Sequence, residues 1–202
     1  ATISLAIGRE LRDPEFPLLA GPNRLLQLLS AGADHIPFRK LPDSLTVASN
    51  IGAYSEPMAE YVVATTLAFM KRLREGHAEL KRGEFNQRTL SGTLNGAVVG
   101  IIGYGGIGRA TARMMQALGA RVIGVNRSGR SEEPPDALYT MDALESVLRK
   151  SDVVVLAVPL TRASRDMFGA RELGWMKDDA ILVNVARGEI VDETALYERL
   201  VA

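Results

Sequence analysis

The 202-residue chain has no cysteine, which removes disulfides, thiolate nucleophiles and cysteine-ligated metals from consideration. Histidine is nearly as scarce: His35 and His77 are the only two, and no HExxH-type spacing occurs. A histidine-built metal site is therefore not expected, and no metal ligand is assigned. Charge of one sign is missing too, because 24 Lys and Arg balance 24 Asp and Glu. Nothing in that balance calls for nucleic acid or an anionic membrane surface as partner. No apolar run is long enough to cross a bilayer and no signal peptide opens the sequence, which makes the cytoplasm the expected compartment. Internal repeats and low-complexity segments are also absent. What remains, with 47% hydrophobic residues, suits a globular protein of one or two domains with a sizeable core.

The most informative stretch runs from Ala97 to Ser128. An apolar β-branched run enters the turn Gly103-Tyr-Gly105-Gly106-Ile107-Gly108, which has the spacing G-x-G-x-x-G. Ile107, Ala110, Met114, Met115 and Leu118 then recur on one helical face until Gly119 stops the helix, and Ala120 to Val125 reads as the next strand. In this strand, turn, helix, strand context the glycines have work to do. Gly103 permits the tight turn, Gly105 lets backbone approach a pyrophosphate, and Gly108 lets the helix pack close to the strand. The helix N-terminus offers the phosphates unpaired N–H groups and a positive dipole end. The spacing alone is equally compatible with an ordinary βαβ unit carrying a Gly-rich turn. Where NAD-binding strands end in Asp or Glu, this chain has Asn126-Arg127-Ser128, followed by Arg130. An uncharged amide beside guanidinium groups fits a 2′-phosphate better than a ribose diol, so NADP is expected over NAD. Read without that context, Arg127 and Arg130 are solvated loop charges.

Other segments set the organisation. Residues 2 to 7 read as a short strand, Asp13 to Pro22 as an irregular connection, and Arg24 to Leu29 as a buried strand in preference to a helix. Leu45 to Ser49 is a further strand. Ser55 and Pro57 open a long helix with a stripe of Tyr61, Ala64, Thr65, Ala68 and Leu73. Residues 76 to 95 read as a linker, placing a boundary near Ser91 to Asn95: residues 1–92 form one domain with the bridging helix, and 93–202 a dinucleotide-binding domain. Gly129 to Pro135 is a charged loop, Asp142 to Lys150 a short helix with Leu144, Val147 and Leu148 inward, and Asp152 to Val158 a continuous apolar strand. A helix near Ala170 to Met176, a strand from Ala180 to Asn184 and a final helix capped by Asp192 complete the chain. The alternation implies an α/β fold, a doubly wound parallel sheet with ligands at its carboxyl-terminal strand ends.

Five segments together resemble the D-isomer-specific 2-hydroxyacid dehydrogenases: Leu28 to Ile36, Asn50 to Glu60, Val99 to Gly108, Val158 to Thr161 and Met176 to Gly188. They cover nearly everything from residue 24 onward. The resemblance implies hydride transfer between a nicotinamide cofactor and a 2-keto or 2-hydroxy acid, of the glyoxylate/hydroxypyruvate type. It implies a Rossmann nucleotide-binding domain beside part of a flavodoxin-like substrate domain. The loop Ala31-Gly32-Ala33 would hold the substrate carboxylate through its amides, and Arg187 would grip carboxylate and carbonyl oxygen as a fixed, permanently charged fork. Gly106 and Ile107 would meet the pyrophosphate, Val158, Pro159 and Thr161 the adenine and phosphate side, and Val185 and Ala186 the nicotinamide ribose. Tyr54 stands where several relatives have a substrate-facing Asn. The Asn-Arg-Ser end resembles the NADPH-preferring reductases, and a homodimer is implied.

Family members carry a glutamate and then a histidine beyond the segment matching Arg187, the histidine protonating the carbonyl oxygen. The sequence reaches Ala202 before either, and the family's opening strands are not matched, so the expectation is a piece of a longer protein. His35 and His77 do not stand in that histidine's place. Two rival readings keep the fold: a dinucleotide-sensing binding protein, and a catalytically inactive cofactor-binding remnant.

Overall fold

The structure, a computed structural model, describes residues 2–5, 11, 15–21 and 24–201. They divide into two compact units, Ala1–Tyr54 and Ser55–Ala202.

The first unit holds a parallel three-stranded sheet of β1 (Thr2–Leu5), β2 (Leu25–Leu28) and β3 (Thr46–Ala48), with β2 central. The compact leucine run is a strand because alternate residues go inward: Leu26 and Leu28 are fully buried while Leu25 and Gln27 are half-buried. Leu19 and Ile36 complete that small core, and Ala33, Leu41, Leu45 and Val47 pack around it. The strand expected over 2–7 is found at its first part; residues 6 and 7 lie outside the described residues. Within the stretch 13–22, expected to be irregular, α1 (Phe16–Leu19) forms a single helical turn with Pro17 near its start. Residues 13, 14 and 22 of that stretch lie outside the described residues.

The second unit is built on five parallel strands, β4 (Val98–Ile102), β5 (Arg121–Val125), β6 (Ala137–Tyr139), β7 (Val153–Leu156) and β8 (Ile181–Asn184), in the order β6-β5-β4-β7-β8. Chain order runs outward from β4 through β5 to β6, then returns to the other side of β4 for β7 and β8. That reversal between β4 and β7 leaves a crevice at the carboxyl ends of the two strands. The strands read as unbroken β-branched runs because both faces are covered. Val99, Ile101, Val122, Val153, Val155 and Val183 enter one core with Val62 of α2 (Ser55–Met70) and Met115 of α4 (Gly106–Ala117). Ile102, Ile123, Val125, Val154 and Leu156 enter the other. This second face is closed by Leu148 of α5 (Leu144–Lys150), Leu173 of α6 (Ala170–Trp175) and Ala195 of α7 (Glu193–Val201). Among these, each fully buried Val, Leu or Ile contributes about 1.5–3 kcal/mol relative to exposure.

The structure corrects several sequence expectations. The inward face of α2 is Ala59, Val62 and Thr66, whereas Tyr61 and Ala64 of the expected stripe are exposed, as is Leu73 beyond it. The helix is apolar most of the way round, so its partners, α4 and β8, choose the face. On α4 the buried residues are Gly108, Ala110, Thr111, Ala112 and Met115; Met114 is half-buried and Leu118 exposed. Small residues face inward because α2 packs closely on α4. The expected linker is helical at its start, where α3 (Leu73–Lys81) lies with no residue buried. Strand β6 was not expected, since three residues inside a charged stretch carry little periodicity. By packing, α2 joins the core of the second unit, so the compact units divide between Tyr54 and Ser55.

Candidate functional site

The glycine-rich turn lies at the carboxyl end of the central strand β4. Gly103 has φ +101°, and a Cβ there would stand 2.5 Å from the Ala157 carbonyl and 2.7 Å from the Val158 nitrogen. Only glycine fits between the end of β4 and the end of β7. Gly108 is equally constrained, since a Cβ would meet the Gly103 carbonyl oxygen at 2.5 Å. Gly105 differs: a Cβ there would have no protein atom within 4 Å, so its absence keeps space open for something other than protein. Beside that space α4 begins, with no side chain capping it. The first-turn amides of Gly106, Ile107 and Gly108 are thus presented outward with the positive end of the helix dipole. An open backbone cradle with unused donors fits a diphosphate, so the site passes the test that a dinucleotide sets.

The end of β5 is fastened to this turn. The Val125 carbonyl accepts from the amides of both Gly103, at 2.9 Å, and Tyr104, at 3.2 Å. The buried Tyr104 ring lies across Gly124, where a Cβ would come within 2.7 Å of it. Burial pushes the Tyr104 phenol up, and Glu133 adds to the effect. Beyond Val125 comes the Asn126–Arg130 turn, where Asn126 is half-buried and Arg127, Ser128 and Arg130 are exposed. The Asn126 side chain spends its hydrogen bonds inside that turn, on the amides of Ser128 and Gly129 and the carbonyl of Arg130.

Two more loops reach the same edge of the sheet. After β7, Val158 is half-buried and packs on the second core, while Pro159 and Thr161 are exposed. The buried Ser164 organises that loop: its hydroxyl donates to the Pro159 carbonyl at 2.7 Å and accepts from the Thr161 amide at 2.8 Å. After β8, Val185 and Ala186 are half-buried and lead to Arg187, also half-buried and extended at φ −142°. Asn184 pins this segment, its Nδ2 donating to the Arg187 carbonyl at 2.8 Å and its Oδ1 accepting from the Ala186 amide at 2.9 Å. The glycine turn, residues 126–128, residues 158–161 and Arg187 thus share the carboxyl ends of β4, β5, β7 and β8. The sequence reading overlooked Ser164 and Asn184; short polar residues just beyond strand ends, able to bond local backbone, were the available signal.

In the first unit the candidate residues gather at the carboxyl end of β2. The Ser30 hydroxyl donates to the Gly32 carbonyl at 2.8 Å, and the Asn50 amide donates to the Ser30 carbonyl at 3.0 Å. Tyr54 donates its hydroxyl to the Leu29 carbonyl at 2.7 Å. These bonds brace the loop, while the amides of Ala31, Gly32 and Ala33 have no acceptor among the described residues. Such a run of outward amides suits a carboxylate.

A hollow of about 290 Å³ at the start of α7 is lined by Asp166, Glu189, Asp192 and Glu193 together with Arg165, which pairs with Glu189. Among the described residues no group of His, Asp and Glu has a metal-holding arrangement.

A family model for the NAD-binding domain of the D-isomer specific 2-hydroxyacid dehydrogenases matches residues 63–202. A glyoxylate reductase of Thermococcus gammatolerans is 37% identical over 167 residues, 79% of this chain and 47% of the relative. A hydroxypyruvate reductase of Thermotoga maritima is 31% identical over 186 residues, 91% of this chain and 60% of the relative. The crystal structure of D-lactate dehydrogenase from Aquifex aeolicus, complexed with NAD and lactic acid, aligns with a TM-score of 0.83 at 32% identity, over 98% of this chain and 60% of that one. The chain spans about half the length of the curated relatives it matches. The glycine turn, the strand order and the extent of these matches agree: the chain belongs to the D-isomer specific 2-hydroxyacid dehydrogenase family.

Proposed function

We propose that the chain is part of an enzyme that moves hydride between NADPH and a small 2-keto acid of the glyoxylate or hydroxypyruvate type, the product being a D-2-hydroxy acid. The observation that carries the reading is the gathering of the open glycine turn, the Asn-Arg-Ser turn and Arg187 at one edge of the sheet, where the strand order reverses. The nicotinamide dinucleotide, when bound, supplies or takes up the hydride.

Each residue has a role in this reading. The amides of Gly106 and Ile107 hold the pyrophosphate, with Gly103, Gly105 and Gly108 shaping the cradle. Arg127 and Ser128 take the 2′-phosphate that distinguishes NADPH from NADH. Val158, Pro159 and Thr161 border the adenine side, and Val185 and Ala186 the nicotinamide ribose. Arg187 orients the acid and polarises its carbonyl with a planar, cationic guanidinium. Ala31, Gly32 and Ala33 bind the carboxylate through their amides, and Tyr54 borders the substrate. The segment up to residue 92 serves the substrate and that from 93 the dinucleotide, whatever the packing boundary between them. The active form is a homodimer, supported by the exposed Tyr61, Phe69, Leu73 and Leu80 on α2 and α3. The setting is the cytoplasm; among the described residues no helix is long and apolar enough to cross a membrane.

The test is an NADPH and NADH oxidation assay with glyoxylate and hydroxypyruvate, on the protein as the cell makes it. NADPH consumption that falls at least a hundredfold in Arg187→Ala, with dinucleotide affinity kept, supports the assignment; about 3 kcal/mol of transition-state stabilisation is the usual cost of losing such a group. Unchanged turnover in that variant overturns the role of Arg187. Tight dinucleotide binding without turnover of any 2-keto acid overturns the enzyme reading in favour of a binding protein.

A further inference from the structure

We propose that Asn126 is a positioning residue for the 2′-phosphate, which it does not itself touch: it folds residues 127–130 so that Arg127 and Ser128 are presented together. The inference rests on the NADPH reading above and adds to it the residue that makes the preference possible.

Three hydrogen bonds carry the argument. Asn126 Oδ1 accepts from the Gly129 amide at 2.6 Å and the Ser128 amide at 3.1 Å, while Nδ2 donates to the Arg130 carbonyl at 2.9 Å. The Asn126 side chain thereby closes a five-residue turn from both sides, using one acceptor and one donor, and the Ser128 hydroxyl adds longer bonds to the Arg130 amide and carbonyl, each at 3.3 Å. The backbone of Asn126 is fixed as well, its amide donating to the Tyr139 carbonyl of β6 at 3.0 Å. Gly129 sits at φ +63°, which the tight closure needs, and its neighbour Thr140 leaves only 3.2 Å for a Cβ. The preceding residue, Val125, is bonded to Gly103 and Tyr104 of the phosphate turn. The turn that carries Arg127 is therefore rigidly indexed to the place where the pyrophosphate binds.

The donor–acceptor inventory explains why this position takes an amide. Aspartate could accept from Ser128 and Gly129, but its second oxygen would face the Arg130 carbonyl, acceptor against acceptor. It would also set a negative charge beside the 2′-phosphate. Arg127 on an open loop would have to be ordered at the moment of binding; the Asn126 closure removes that entropic cost in advance.

Isothermal titration of the protein as the cell makes it, with NADPH and with NADH, tests this without relying on turnover. Asn126→Ala is expected to weaken NADPH about tenfold and to leave NADH within about twofold, the scale of one or two lost hydrogen bonds. Asn126→Asp should weaken NADPH at least as much, and Asn126→Ser, which keeps an acceptor for the amides, should recover part of the loss. Because Asn126 acts through Arg127, the Asn126→Ala effect should shrink to under about twofold in an Arg127→Ala background. A NADPH preference that survives Asn126→Ala and Asn126→Asp overturns the inference while sparing the cofactor reading. A full tenfold effect persisting without Arg127 also overturns it, by making Asn126 a direct contact. A wild-type chain that binds NADH as tightly as NADPH overturns the cofactor reading first, and the inference with it.

Discussion

Two glycines of one turn do opposite jobs, and substitution separates them. A Cβ on Gly103 collides with backbone of Ala157 and Val158 at an already positive φ, so Gly103→Ala is expected to cost about 3 kcal/mol of stability. A Cβ on Gly105 meets no protein atom, so Gly105→Ala should leave the thermal midpoint within about 2 °C. Its effect should fall on dinucleotide affinity, weakened tenfold or more. Melting curves and titrations on the two variants check both statements. The interior offers the converse case. Thr66 and Thr111 are fully buried and their hydroxyls have no hydrogen-bond partner among the described residues. Replacing either by Val keeps the shape and removes an unsatisfied polar group, so each change should stabilise by about 1 kcal/mol in urea unfolding.

Strands β4 and β5 are anchored where they start by carboxylates from the loops around them. The Val98 amide donates to Asp152 at 2.8 Å while Lys177 pairs with the other oxygen at 2.7 Å. The Val122 amide donates to Asp136 at 2.7 Å, joined by Gln116 at 3.0 Å. Partial burial pushes the Asp152 carboxyl up, but Lys177 and the Val98 amide outweigh it and leave the group below the usual carboxylate range. At Asp136 the Val122 bond is the main cause of the same lowering. A carboxylate lowered by folding contributes stability above its unfolded value, about 4, and loses it as the pH falls through the folded value. The urea midpoint should therefore drop between pH 6 and pH 3, and more shallowly in an Asp136→Asn, Asp152→Asn double variant. Both groups are partly exposed, so the drop is a modest part of total stability.

At the scale of the molecule, the apolar surface is unevenly covered. Helix α3 has no buried residue although Leu73 and Leu80 lie on it, and Phe69 on α2 is exposed as well. Exposed large side chains so close in sequence fit a surface that a second copy covers. Light scattering should therefore find a dimer, and Phe69→Glu with Leu80→Glu should shift it to monomer while leaving the circular dichroism of the chain unchanged. A monomer in the wild type would remove the homodimer from the proposed function. The charge balance of the chain, with equal numbers of acids and bases, leaves no net repulsion to oppose such an association.

The sequence by itself determined the doubly wound sheet, the glycine turn, the strands that flank it and the family, because period, glycine spacing and motif order are local properties. It also located Arg187 at a strand end, since a strand's length and its terminating residues are contiguous. Only the tertiary structure decided which face of α2 and α4 goes inward. Helix α2 is apolar most of the way round and α4 buries small residues beside Met115, so the choice belongs to the elements they pack against. Tertiary contacts likewise placed the boundary of the compact units at Tyr54 and gave three-residue β6 a strand partner in β5. The same holds for Asn126. Its identity was legible as an amide where NAD enzymes carry an acid, but its role as the clasp of a turn depends on the distances from its side chain to three backbone groups, which the folded chain alone sets.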